Sequence, residues 1–489
     1  QNRKGRIRMK GYQFEDTQGT FHLKKAENIS YLYFPIAGEA GLKSSFTPNL
    51  GGDAKIDQNT FLLEPVSAEN LVNNRNSRNF WCNVKGIGSW SLTGHSAEEL
   101  SKKFTEMQDD SEVTAGFMWQ KTTRESKKYQ LRGEILSFIP VDKNVEIMLV
   151  TITNTGRMAQ TVTPTAAIPL YGRSADNIRD HRHVTSLLHR IETTDTGVLV
   201  TPTLSFDERG HQVNHMTYYC VGWSGNGEKP VDFYPTAEDF VGEGGNFERP
   251  YAIVKNAEGV KAGTKIEGLE AVGGLHFSEI TLEPEEECSY LIFTGITEDI
   301  QEIRNLSKTY TTREKVLEEL EKTKAYWQEK VNVAYHTGDS DFNQFMHWVS
   351  FQPILRRIYG CSFLPHHDYG KGGRGWRDLW QDCLALLIMN PDGVRQMLLD
   401  NFAGVRIDGS NATIIGSKQG EFVADRNNIT RVWMDHGVWP MITTKFYIDQ
   451  TGDLELLEKE AAYFKDKQIA RGTRTDTLWD ESYGCWQKT

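Results

Sequence analysis

Apolar positions in the first part of the chain follow the period of β-strands. YLYFPI (31–36), VEIMLVTITN (145–154), QTVTPTAAIPLY (160–171), MTYYCVGW (216–223) and CSYLIFTGI (288–296) are short, β-branched and aromatic, with Gly, Asn, Asp or Pro between them. Helical periodicity is nearly absent there, apart from the short amphipathic stretch AEELSKKFTEM (97–107). Many closely spaced strands with no βαβ alternation predict a large antiparallel sandwich over residues 1–300. The loops 46–52 and 224–227, rich in Gly and Asn, read as connections between strands.

Near residue 300 the period changes. Thr311-x-x-Glu314 has the form of a capping box, and Val316, Leu320, Trp327 and Val331 follow at helical spacing. This predicts linker helices over 301–337. Phe342, Phe345, Met346 and Val349 mark the next helix, which Pro353 is expected to kink or interrupt. Leu379 to Met389 is apolar and helical, and Pro391 at a first helical position opens a helix over Asp392–Ala403. Helices over Ile429–Ile448 and Asp453–Lys465 follow, separated by Gly452. Helices joined by long, polar, glycine-bearing loops predict an α/α toroid from 338 to 489. That span is too short for a closed ring of six helix pairs at about 11–12 residues per helix. The expected architecture is therefore multidomain, β then α, and the chain is expected to carry only the first part of the toroid.

Composition narrows the chemistry. The 489 residues suit about three domains. A net charge of −11 argues against nucleic acid, whose binding rests on basic patches. Six cysteines, at 82, 220, 288, 361, 383 and 485, include no CxxC pair and read as free thiols of a cytoplasmic, reducing compartment. No run of 18 apolar residues predicts a membrane span.

The chemistry concentrates between Tyr359 and Pro440. YGCSFLPHHDYGKGGRGWRDLWQD (359–382) sets Gly370, Gly372, Gly373 and Gly375 beside Arg374, Trp376, Arg377 and Asp378. Glycines let a backbone come close to a ligand. ITRVWMDHGVWP (429–440) sets Asp435 between Trp433, His436 and Trp439. Sugar faces stack on indole, and sugar hydroxyls need planar, two-pronged polar partners. Arg377 and Asp378 read either as a helix cap with its ion pair or as hydroxyl and anion ligands. Asp435 reads either as a cap or as a general acid whose pKa apolar neighbours raise. His436 suits substrate binding or an ordinary polar contact. The His366-His367-Asp368 cluster lacks metal-site spacing, so no metal is expected. GKGGRG is not a nucleotide loop, but Lys371, Arg374 and the glycine amides suit an anion such as phosphate. The stretch offers one persuasive catalytic carboxylate, Asp435. An inverting hydrolase needs two, whereas a phosphorylase needs one because phosphate is the nucleophile.

Several of these residues carry a resemblance. Phe342…Trp348, Gly375-Trp376-Arg377-Asp378 with Gln381-Asp382, Pro391 with Arg395 and Leu398-Leu399, Asp408-Gly409-Ser410, Asp435-His436-x-x-Trp439, and Tyr447-Ile448-x-x-Thr451-Gly452-Asp453 together resemble the family 94 glycoside hydrolases, the inverting β-glucoside phosphorylases. One departure is that many members have two consecutive Asp residues before an apolar pair and Trp, where this chain has Asp435-His436-Gly437-Val438-Trp439. The resemblance implies an N-terminal β-sandwich, linker helices, part of an (α/α)6 catalytic barrel, and homodimers. It implies no cofactor, with inorganic phosphate as a substrate beside a β-linked glucooligosaccharide. By motif, Arg377 and Asp378 hold the glucosyl unit, Trp433 lines it and Asp435 is the general acid. The segment 34–65 is most similar to the 1,2-β-oligoglucan phosphorylases. Cellobiose or cellodextrin phosphorolysis, inverting hydrolysis and non-catalytic carbohydrate binding are the alternatives.

Overall fold

The predicted strand 145–154 is the backbone of the first unit. In the computed structural model, Val145–Asn154 is buried along its whole length, so both of its faces meet other layers. The structure describes residues 11–29, 32–72, 75, 77–207, 210–360, 374–389, 391, 393–406, 409–416, 420–423, 433, 435–464 and 486–488. The chain divides into two units, Gln1–Trp327 and Gln328–Thr489.

In the first unit an eleven-stranded antiparallel sheet has Leu131–Phe138, Val145–Asn154, Glu287–Thr297 and Thr217–Ser224 at its centre. The two-residue side-chain period sorts the central strand cleanly. Val145, Ile147 and Leu149 share a core with Phe138, Val221, Trp223 and Phe293, and with Ile303, Leu306, Tyr310, Val316 and Leu320. The last five come from the helices Ile300–Thr309 and Arg313–Lys330 or the turn between them. Helices read from periodicity as a linker thus cover one face of the sheet. A six-stranded sheet, including Gln160–Leu170, Ala271–His276 and Asn79–Val84, packs on the other face. Rings interleave across that interface, with Phe80 and Phe277 at 5.5 and 4.7 Å from Tyr290. Gly273 makes the approach possible, because a Cβ there would sit 2.2 Å from the Cβ of Cys220.

A smaller sheet of Phe34–Ala37, Lys43–Phe46, Gly52–Asp57 and Thr60–Leu63 is tied to the large one by a buried ion pair. Arg78 and Glu146 are fully buried, with Nε to Oε1 at 2.5 Å. Arg78 also donates to the carbonyls of Leu50, Gly52 and Asp53, and Ser44 donates to Glu146. All three guanidinium nitrogens of Arg78 and both carboxylate oxygens of Glu146 therefore have hydrogen-bond partners.

The second unit is helical, as the change of period predicts. Trp376–Met389 is flanked by Ser340–Tyr359 and Val438–Thr451, with Val394–Phe402 beside them. Pro353 lies inside Ser340–Tyr359 without interrupting it. Four local expectations differ. The helix expected over Ile429–Ile448 runs over Val438–Thr451, with 435–437 in the turn before it. The helix after Pro391 begins at Val394, because Gly393 takes the left-handed conformation at the cap. The segment after Gly452 is a 3-10 turn, Leu454–Glu458, and a strand, Glu460–Ala462, paired with Trp486–Lys488. The amphipathic stretch 97–107 is helical only over Ala97–Ser101. Cys82, Cys220, Cys288 and Cys383 are free thiols. Among the described residues, no helix is long and apolar enough to cross a membrane.

The buried pair gives a direct stability test. Glu146→Ala leaves the Arg78 charge uncompensated and is expected to destabilise the first unit by about 3–5 kcal/mol, whereas Arg78→Met with Glu146→Leu recovers most of that loss. The midpoints of urea unfolding for the two variants check this.

Candidate active site

The glycine-rich approach ends in a short strand, Arg374–Gly375, that pairs with Ile414–Ile415 and delivers the chain into the helix Trp376–Met389. Trp376 anchors that entrance. Its ring is fully buried, its backbone N–H donates to Thr413 O at 2.9 Å, and its indole N–H donates to His436 O at 3.0 Å. Gly404 leaves room for the ring, since a Cβ there would meet it at 2.4 Å. One side chain thus joins the helix start to the turn that carries Asp435.

Successive helical residues point about 100° apart, so Arg377 and Asp378 do not pair with each other. Arg377 Nη1 donates to Asp435 Oδ2 at 3.0 Å, and the Trp439 indole N–H lies 3.4 Å from the same oxygen. Asp378 faces Arg356 at 3.8 Å, and Arg356 also reaches the buried Asp382 at 3.4 Å. Gly375 permits the position of Asp378, because a Cβ at 375 would sit 2.2 Å from its carboxylate.

Asp435 lies in the turn before Val438–Thr451, whose cap residue is Gly437, so its carboxylate does not cap that helix. Its side chain is 45% exposed. The expected upward pKa shift is reversed: the hydrogen bond from Arg377 holds the carboxyl below its ordinary value of 3.8, with help from Trp439. Flanking tryptophans in the sequence do not desolvate a side chain that projects past them into solvent. Trp433 presents a 49% exposed ring, stacked at 5.8 Å and 19° on His436. His436 is buried, and Asn411 Nδ2 lies 3.2 Å from its Nδ1. Lys371 and the His366-His367-Asp368 cluster lie outside the described residues, and Arg374 is described in its backbone alone. Among the described residues, no group of three His, Cys, Asp or Glu side chains is disposed to hold a metal. An open cleft of about 550 Å³ adjoins the site, sharing Trp376, Asn411 and Gly437, but its wall is largely apolar and excludes Asp435 and Arg377.

These residues fall in regions with recognised relatives. A model described as the supersandwich domain of glycosyl hydrolase 94 matches residues 63–313, and one described as the catalytic domain of the glycosyl hydrolase 94 superfamily matches residues 326–479. The chain belongs to glycosyl hydrolase family 94. A cyclic β-(1,2)-glucan synthase of Rhizobium meliloti is 24% identical over 52% of the chain and 8% of its own length. A 3-O-β-D-glucopyranosyl-β-D-glucuronide phosphorylase of Paenibacillus borealis is 23% identical over 69% of the chain and 41% of its own length. This family 94 chain thus spans less than half the length of either curated relative. Among solved structures, a protein provisionally described as a kojibiose phosphorylase from the human microbiome shares the fold at a TM-score of 0.52. It is 9% identical, over 92% of this chain and 58% of its own.

The family motif also divides by role. Arg395 Nε and Tyr447 Oη both donate to Asp453 Oδ2, at 2.7 and 2.8 Å, which fastens Val394–Phe402 to the end of Val438–Thr451. That part of the pattern holds helices together. Sequence reasoning missed Arg356 and Asn411 as neighbours of the site. The only signal for Arg356 was an arginine pair in the last turn of Ser340–Tyr359, where a helix dipole favours cations.

A titration tests the Arg377–Asp435 contact. The folded pKa lies below the unfolded one, so the contact stabilises the protein above the unfolded value and loses that effect as pH falls through the folded value. Carboxyl-carbon NMR of Asp435 is expected to place its midpoint below 3.8, and Arg377→Met is expected to move it up.

Proposed function

We propose that this family 94 chain serves inverting phosphorolysis of β-linked glucosides, with β-1,2-glucooligosaccharides as substrate, releasing α-glucose 1-phosphate and a shortened oligosaccharide. The observation that carries this reading is the half-exposed Asp435 carboxylate, held by Arg377 and Trp439, with the half-exposed Trp433 two residues before it in the chain. A glucosyl ring stacked on Trp433 brings its glycosidic oxygen to a carboxyl, and the neighbouring Arg377 and Asp378 supply planar partners for its hydroxyls. Asp435 acts as the general acid that protonates the leaving oxygen. Phosphate attacks the anomeric carbon from the opposite face, so no second carboxylate is required and configuration inverts. The backbone N–H groups leading to Arg374, with Lys371, suit that anion. No cofactor enters this scheme. A homodimer and a cytoplasmic location belong to the same proposal.

The β-1,2 linkage draws support from the glucan synthase named above and from the similarity of residues 34–65 to 1,2-β-oligoglucan phosphorylases. The glucuronide phosphorylase aligns with a larger share of the chain and makes a β-glucosyl glucuronide the second reading.

The experiment incubates the protein with β-1,2-glucooligosaccharides, with a β-glucosyl glucuronide and with cellobiose, each with and without inorganic phosphate. Glucose 1-phosphate is expected only with phosphate, and fastest from the β-1,2 substrate. Reducing sugar released without phosphate would make the enzyme a hydrolase. Asp435→Asn is expected to lower kcat by about 10²–10⁴-fold while leaving oligosaccharide binding within a few-fold. Unchanged turnover in that variant removes Asp435 from the mechanism.

A further inference from the structure

The sandwich unit holds a charged crevice that phosphorolysis does not use. It lies where Gln160–Leu170 and Thr60–Leu63 end and Ala271–His276 begins. Arg75 Nη1 donates to Glu270 Oε2 at 2.8 Å. Arg182 pairs with Glu64 and stands 3.6 Å from the other oxygen of Glu270. Those two arginines and two glutamates balance.

Arg173 is the unbalanced charge. It is 7% exposed, its guanidinium lies 5.0 Å from the centre of the Tyr171 ring, and it makes no ion pair among the described residues. Its Nε is buried without a hydrogen-bond partner, and so is the hydroxyl of Tyr171, itself 5% exposed. A buried cation and a buried phenol left unpaired are costly, and native structures normally satisfy both. Arg173, Tyr171, Arg75 and Arg182 line one crevice of about 30 Å³, walled on the apolar side by Phe247. That is room for about two water-sized atoms. It fits the two oxygens of a carboxylate and is too small for a sugar ring or a whole phosphate.

We propose that this crevice binds one carboxylate group of a small organic acid, with the Arg173 guanidinium and the Tyr171 hydroxyl as its donors. The count of three guanidiniums against two carboxylates leaves one positive charge for a single carboxylate to neutralise. The planar fork of an arginine matches carboxylate geometry.

Acetate is the probe. The protein is titrated with sodium acetate against sodium chloride at constant ionic strength, and binding is read by saturation-transfer NMR and by the thermal midpoint. A saturable acetate effect that chloride lacks is expected. Tyr171→Phe is expected to weaken it about tenfold, and Arg173→Met to abolish it. Tyr171→Phe decides the matter even when Arg173→Met fails to fold, because it removes only a hydroxyl. No saturable acetate effect means the crevice holds water and overturns the proposal. So does acetate binding that is unchanged in Tyr171→Phe, and so does inorganic phosphate displacing acetate at lower concentration.

Discussion

The hydrogen bond from the Trp376 indole to the carbonyl of His436 is the constraint on which the candidate site depends. Exposed ion pairs contribute little and cannot hold loops in place by themselves. Trp376 can, because its ring is fully buried against Trp380 and Phe422 and its N–H has one carbonyl to satisfy. Burial adds to the worth of that bond, since an unpaired indole N–H or carbonyl in the interior costs about 1–3 kcal/mol. With the helix start and the 435–437 turn locked together, Arg377 finds Asp435 within reach without either side chain being buried. The two segments are therefore joined by a buried contact, while the exposed charges they carry can change partners at little cost.

The division between rigid and exchangeable parts explains what the sequence could disclose. Val145–Asn154 was legible because its β-branched and aliphatic run is bounded by turn residues, even though Glu146, Thr151, Thr153 and Asn154 within it are polar. The helices at 300–330 were legible as helices but not as a sheet cover, because periodicity shows which face is buried and not what buries it. Pro353 does not interrupt its helix because the cost of proline is local, whereas the packing of Phe351, Ile354 and Leu355 extends along the same helix and outweighs it. The helix expected after Asp453 failed for a related reason. Glu460–Ala462 forms a strand with Trp486–Lys488, a partner whose pairing no local pattern reveals.

At the site, residue types were legible and their pairings were not. Arg377, Asp378, Trp433 and Asp435 stood out by composition and spacing. That Arg377 serves Asp435 while Asp378 turns to Arg356 follows from helical geometry, and the partners come from segments far away in sequence. The sign of the Asp435 shift was misread for the same reason. Neighbours in sequence say which groups are near a carboxylate's backbone, and its ionisation depends on which groups are near its oxygens.

The reversed shift bears on how such a site works. A general acid must carry a proton when the glycosidic bond breaks, and by microscopic reversibility the same group must lack one when that bond forms. With Arg377 on its oxygen, Asp435 is ionised in the ligand-free protein at neutral pH, the state suited to making a bond from a sugar phosphate and an acceptor. Cleavage needs the opposite state. In the proposed reaction, a sugar stacked on Trp433 would remove water from the carboxylate and offer Arg377 hydroxyls as alternative acceptors. Both changes favour the protonated form. Because the ion pair is exposed, exchanging it costs little. A buried Arg377–Asp435 pair of the Arg78–Glu146 kind would fix Asp435 as a carboxylate and close the cleavage direction. In the proposed reaction, exposure of the pair is thus what would let one carboxyl serve both directions.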